Sequence, residues 1–211
     1  MACDDILVNT VKRIKNSGVR RLVDSRMREF KALGRKSNDE IFKELCFCIL
    51  TANFQANRSI EIQREIGGRF ITLSQERLAG RLRALGHRFP NTRASYIVEA
   101  RRHKGALKET MASHKDEREL RDWVVRNVKG LGYKEASHFL RNIGYLKLAI
   151  IDFHIVDILV RHRLMRRPKS LSRNNYLRIE RLLERLAGRL KLSLAELDLY
   201  LWYCETGTIL K

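Results

Sequence analysis

Hydrophobic positions along this chain recur at helical spacing and not in alternation. Phe42, Leu45, Cys46 and Ile49 share one helical face, as do Leu78, Leu82 and Leu85, and Ala136, Phe139, Leu140 and Ile143. Start signals match that period. Ser37-Asn38-Asp39-Glu40 and Ser193-Leu194-Ala195-Glu196 both have the capping-box form, in which serine and glutamate satisfy each other's backbone donors. Gly18, Gly34, Gly67-Gly68, Gly86 and Gly144 stand where helices should stop, and Pro90 and Pro168 fall in connections. The pattern predicts ten or eleven helices, no strand pair and an all-α fold class. A seam is expected near Arg166-Arg167-Pro168-Lys169-Ser170. The helices after it, about 172–190 and 193–203, are expected to pack with the first helices, so that residues 1–211 form a single helical unit.

Length and apolar content agree with a folded protein: 211 residues with 44% hydrophobic content can bury a proper core. No apolar run approaches the roughly 20 residues that cross a bilayer. The start, Met1-Ala2-Cys3-Asp4-Asp5-Ile6, lacks the basic-then-apolar layout of a signal peptide, so an intracellular location (cytoplasm or nucleoid) is expected. Charge changes the picture more. Against 24 acidic residues stand 43 Lys and Arg, a formal net charge of +19 spread along the whole chain. Such an excess favours a polyanion, because neutralising phosphates releases condensed counterions. No segment pairs a clean apolar face with a lysine-rich one, which argues against a membrane surface. The cysteines, Cys3, Cys46, Cys48 and Cys204, fit neither a zinc site nor an iron–sulfur cluster. Cys46 and Cys48 read as small buried hydrophobes.

The chemistry concentrates in Val128-Lys129-Gly130-Leu131-Gly132-Tyr133-Lys134, between two helical patterns, and in Asp152-Phe153-His154, whose Asp152 lies eighteen residues after Lys134. Residues 123–144 have the form of a helix-hairpin-helix. Its glycines permit positive φ and close approach of a phosphate, and a helix N-terminus presents open N–H groups to it. Lys129, Gly130 and Gly132 are therefore candidates for gripping a nucleic-acid backbone. Lys134 opens the second helix, where it reads either as a phosphate contact or as an amine nucleophile. A nucleophilic amine has to be neutral, which burial, a helix N-terminus and neighbouring cations all favour. Asp152 follows the apolar run Ala149-Ile150-Ile151 and is placed to cap the next helix. A carboxylate held there stays ionised and can stabilise positive charge on a sugar ring.

With those residues in view, the chain resembles the helix-hairpin-helix superfamily of base-excision DNA glycosylases, whose signature is a Leu-x-Gly-Val-Gly-x-Lys hairpin followed by Asp-x-His. Further stretches narrow the resemblance to the compact 8-oxoguanine DNA glycosylase/AP lyases known mainly from archaea. Leu50-Thr51-Ala52-Asn53 is similar to the segment that plugs the gap left by a flipped base, and residues 82–94 to the wedge region, with Phe89 as the wedge. The end of the chain, from Leu197 to Lys211, is similar to the segment that closes the damaged-base pocket. The N-terminal β domain of the eukaryotic enzymes and the cluster loop of the endonuclease III branch have no counterpart. Where the eukaryotic enzymes carry a cysteine four residues after the nucleophile, His138 stands here.

The resemblance implies two helical subdomains joined around the hairpin, with the active site in the cleft between them. It implies removal of 8-oxoguanine from double-stranded DNA by a monomeric enzyme. Lys134 would attack the sugar, Asp152 would stabilise the transition state, and β-elimination would nick the strand. His154 would contact a phosphate, Asn53 and Phe89 would plug and wedge the duplex, and Trp202 and Lys211 would read the base. Tyr203 is the other candidate for stacking. No metal or organic cofactor is required, although a monovalent cation at residues 128–133 is compatible. Two readings compete: a glycosylase/lyase of the same superfamily for another lesion, and a non-catalytic helix-hairpin-helix DNA-binding protein.

Overall fold

The computed structural model of the protein describes residues 3–211, with side chains from Ile6 onward. Met1 and Ala2, read above for a leader, and the Cys3 side chain lie outside the described residues. In chain order the helices are α1 (Cys3–Lys15), α2 (Val19–Gly34), α3 (Asn38–Thr51), α4 (Ala56–Ile66), α5 (Arg69–Thr72), α6 (Gln75–Ala84), α7 (Pro90–Ala100), α8 (Leu107–Ser113), α9 (Glu117–Asn127), α10 (Tyr133–Asn142), α11 (Phe153–Arg161), α12 (Arg173–Leu190) and α13 (Leu194–Thr206), with a 3-10 turn at Arg101–Ala106. No strand occurs among the described residues. The thirteen α-helices among the described residues exceed the ten or eleven that periodicity predicts. The excess is physical: α5 has four residues and α8 seven, too short to show a repeat.

The chain divides into two compact units. One comprises Ala32–Ile143, and the other the chain up to Lys31 together with Gly144–Lys211. The stretch at 166–170 is a connection between α11 and α12 inside the second of these, not a seam.

The unit formed by Ala32–Ile143 is built around α3, which carries ten buried residues, among them Phe42, Leu45, Phe47 and Leu50. A helix apolar on every side must be enclosed, and α4, α5, α7, α8 and α10 pack around it. Its buried Glu44 is satisfied on both oxygens, by Asn142 Nδ2 at 2.6 Å and by Gln63 Nε2 at 3.1 Å. Ser37 caps α3 by accepting from the Glu40 N–H at 3.4 Å. The Glu40 side chain pairs with Lys43 instead of closing the capping box. At Ser193 both halves of the box form.

In the other unit α1 packs on α12 and α13, and α12 on α13. Lys15 at the end of α1 donates to the Leu190 carbonyl at the end of α12 (2.7 Å). A cation there suits the negative end of the helix dipole.

Gly34 shows how closely elements approach. A Cβ at this position would lie 2.0 Å from the Ile143 carbonyl oxygen, a backbone atom that cannot rotate away. Gly34→Ala is therefore expected to cost about 1–3 kcal/mol through overpacking. Urea unfolding should show a lower midpoint at unchanged slope, and an unchanged midpoint would contradict the close approach.

Candidate active site

The hairpin is shaped by its glycines and by an aromatic wall. Gly130 has φ +85°, and a Cβ there would lie 2.3 Å from Tyr96 Cδ2, so conformation and space both exclude a side chain. Leu131 is buried and anchors the tip. Gly132 is the N-cap of α10, and its N–H donates to Glu135 Oε2 at 3.3 Å. That donor is thus satisfied within the protein, leaving the amides of the first turn of α10, which have no intrahelical acceptor, to face a ligand. Lys129 lies over the Tyr96 ring at 5.7 Å and 3.6 Å from Glu99. Lys134 is the second residue of α10. Its side chain is 27% exposed, and its Nζ is 3.9 Å from Glu135 Oε1. The first turn is clamped from α9: the Tyr133 hydroxyl donates to Asp122 Oδ1 at 2.6 Å, and buried Arg121 sits 5.0 Å from the Tyr133 ring centroid. Lys129, Gly130, Gly132 and Lys134 thus share one short, braced turn.

Asp152 is delivered by a different device. Leu148–Ile151 is buried but not helical, so its backbone groups need partners. Side chains of α12 supply them. Ala149 N–H donates to Glu180 Oε1 (3.0 Å), Ile151 N–H donates to the Tyr176 oxygen (3.2 Å), and the Tyr176 hydroxyl donates to the Ala149 carbonyl (2.7 Å). The segment ends at Asp152, the N-cap of α11, whose Oδ1 accepts from the Ile155 N–H at 3.0 Å. The second carboxylate oxygen takes no part in the cap. Phe153 is 71% exposed, and His154 beside it is exposed as well. The His154 and Trp202 rings meet edge to face, with centroids 6.0 Å apart. Trp202 is half-buried, and its Nε1–H is enclosed without an acceptor. Tyr203 and Lys211 are half-buried too. Asp152, His154 and Trp202 therefore lie near the start of α11. Tyr176 and Glu180 were missed from sequence, although two polar residues one turn apart on the apolar face of α12 are a readable signal.

Asn53 and Phe89, the plug and wedge candidates, both lie in the first unit described. Asn53 follows the end of α3 with φ +56° and is exposed, a left-handed conformation that asparagine tolerates well. Phe89 is the N-cap of α7 and is half-buried between two guanidinium groups, Arg88 at 4.9 Å and Arg93 at 5.6 Å from its ring centroid. Behind them His87, 4% exposed, lies against Phe54 with ring centroids 4.2 Å apart. The Phe89 N–H donates to His87 Nδ1 (3.1 Å), which leaves the proton on Nε2 to donate to the Leu50 carbonyl, also at 3.1 Å. Neither His87 nor Arg93 stands out in the sequence, since each reads as one more cation in a basic chain.

A Gly-x-Gly hairpin between helices of an all-α chain, with a lysine opening its second helix, defines a helix-hairpin-helix protein. Residues 23–192 match the family model described as 8-oxoguanine DNA glycosylase, and the chain belongs to that family. It is 53% identical over 212 residues to the 8-oxoguanine DNA glycosylase/AP lyase of Korarchaeum cryptofilum, covering 100% of both chains. The Methanocaldococcus jannaschii 8-oxoguanine glycosylase/lyase, solved in complex with a 15mer DNA containing 8-oxoguanine, superposes with a TM-score of 0.95 at 50% identity, over 98% of this chain and 100% of that one. The 8-oxoguanine DNA glycosylase of Thermotoga maritima gives a TM-score of 0.92 at 42% identity, over 99% and 100%.

Burial holds the His87 imidazole below its ordinary value of 6.5; the nearby Arg93 charge acts in the same direction and the bond to Leu50 opposes it. As pH falls below 6.5 the unfolded chain takes up a proton that the folded protein resists. The stability contributed by neutral His87 is therefore present above that value and lost as pH drops toward the folded one. Melting temperatures between about pH 7.5 and about pH 5.5 should fall more in the wild-type protein than in His87→Gln, which keeps the other histidines and lacks only this titrating group. Equal falls would remove His87 as the cause.

Proposed function

We propose that this protein excises 8-oxoguanine from double-stranded DNA and then cleaves the strand at the resulting abasic site. The observation that carries the reading is the braced hairpin with Lys134 in the first turn of α10, in a chain that matches the 8-oxoguanine DNA glycosylase family over residues 23–192. A base inside a duplex is out of reach, so the damaged nucleotide is extruded. Phe89 wedges the stack and Asn53 fills the gap beside the orphaned partner. The open amides of the α10 first turn, with Lys129 and His154, hold the flanking phosphates. Trp202 stacks on the extruded base, and Lys211 contributes to telling oxidised from normal guanine.

The Lys134 amine forms a bond from Nζ to the anomeric sugar carbon while the glycosidic bond breaks and the base leaves with its electron pair. Asp152 stabilises the positive charge that develops on the ring. Loss of a proton from the amine and ring opening give an imine, which acidifies the adjacent C2′ hydrogen. Its removal expels the 3′ phosphate by β-elimination. No organic cofactor takes part. The hairpin carbonyls of residues 128–133 offer only neutral oxygen ligands, which suit a monovalent cation better than a tightly held divalent one. We place the enzyme inside the cell, acting as a monomer; no helix among the described residues is long and apolar enough to cross a membrane.

Borohydride should trap the wild-type protein covalently on an 8-oxoguanine duplex. Lys134→Gln should abolish trapping while leaving duplex affinity within about threefold, because one of many phosphate-facing cations is lost. Trapping that survives in the variant would remove Lys134 as the nucleophile. A panel of duplexes carrying oxidised pyrimidines and mismatches, run alongside, tests the lesion. Deletion of Lys211 should narrow the rate ratio between 8-oxoguanine and guanine, and an unchanged ratio would take Lys211 out of the base pocket.

A further inference from the structure

Arg93 is 7% exposed, yet no carboxylate pairs with it among the described residues, and its Nε–H has no acceptor. Burial pulls its pKa down, and the charges of Tyr96 and Glu135 oppose that only from beyond ion-pair contact. A guanidinium buried in this way is costly, and an apolar side chain of similar volume would often serve the fold as well or better. Its surroundings account for its presence. Nη2 donates to the Ala52 carbonyl, next to Asn53. Its Cζ lies 5.6 Å from the Phe89 ring centroid and 5.8 Å from that of Tyr96. Tyr96 is the wall against which Gly130 closes. One side chain therefore touches the turn that carries the plug, the wedge ring, and the aromatic that shapes the hairpin. His87 repeats the connection one step away, tying the Leu50 carbonyl to the Phe89 backbone.

We propose that Arg93, supported by His87, is a positioning residue that holds the Asn53 turn and the Phe89 wedge in one rigid frame, so that plug and wedge enter a duplex together. The physical basis is the end of α3. The last carbonyls of a helix lack intrahelical donors, and here two of them, on Leu50 and Ala52, are taken by side chains from the wedge region. Removing those donors frees the plug turn to move relative to the wedge. Interactions that position a reacting group need to hold within a fraction of an ångström to be effective. The inference rests on the plug and wedge roles proposed above for Asn53 and Phe89.

The experiment compares two substrates. One is a duplex containing 8-oxoguanine, read by single-turnover excision. The other is a single-stranded oligonucleotide with a preformed abasic site, read by borohydride trapping, in which no stacked base has to be extruded and no partner is orphaned. Arg93→Met and His87→Phe are expected to lower duplex excision at least about tenfold, the scale of one buried hydrogen bond lost with its acceptor left unpaired. Trapping on the single strand should stay within about twofold, because it depends on Lys134 and the hairpin alone. Arg93→Lys keeps the charge and one donor but not the reach of the fork; it should show a smaller, duplex-only loss and serves if the methionine variant does not fold. An equal loss on both substrates would mean that Arg93 only supports the fold, overturning the proposal. So would unchanged duplex excision in Arg93→Met and Arg93→Lys while Asn53→Ala and Phe89→Ala are impaired, a result that leaves the plug and wedge roles standing. Full duplex activity in Asn53→Ala and Phe89→Ala would remove those roles, and the proposal with them.

Discussion

The enclosure of α3 is the constraint on which much of the larger unit depends. A helix with buried residues on every side from Ile41 onward cannot hand the carbonyls of its last turn to water, so the protein has to supply their partners. At the exposed start Ser37 caps it; at the buried end His87 and Arg93 take the carbonyls. The second solution has consequences for function. It draws the entrance of α7 onto the end of α3 and brings Asn53 and Phe89 to one corner of the unit. A requirement of helix termination thereby becomes the geometry of a candidate duplex-opening device.

The same logic operates in the other unit with different groups. The buried stretch Leu148–Ile151 has neither helix nor sheet to satisfy it, and Tyr176 and Glu180 of α12 take over that role. Buried polar groups are costly unless paired, and here both backbone groups of Ala149 and the Ile151 N–H are paired, just ahead of Asp152. Asp152 then serves as N-cap with one oxygen, so its position is set by α11 itself. Capping and the charge-stabilising role proposed for Asp152 are compatible because a carboxylate has two oxygens.

How much could be read in advance varied with the range of the interaction. The helical class followed from apolar spacing, and the hairpin, Lys134 and the Asp152 cap followed from short motifs whose geometry is local. Helices α5 and α8 escaped because their lengths fall below two or three turns. The stretch at 166–170 looked like a seam because arginines, a proline and a serine cluster there, a composition that an ordinary connection shares with a linker. Gly132 reads in sequence as a phosphate donor, but Glu135 occupies its N–H, and the neighbouring amides of α10 are the open ones.

Taken alone, the sequence determined what depends on residue type and near spacing: a basic all-α chain, a glycine hairpin opening a helix, a lysine in its first turn, and an aspartate heading the next helix. The tertiary structure decided the pairings between residues far apart in the chain. Arg93 meets the Ala52 carbonyl, Tyr96 meets Gly130, and Glu180 meets the Ala149 amide. Such contacts leave no periodic trace, because a cation on a solvated face and a cation under a helix end are the same letter. What separates them is burial, and burial belongs to the packed molecule.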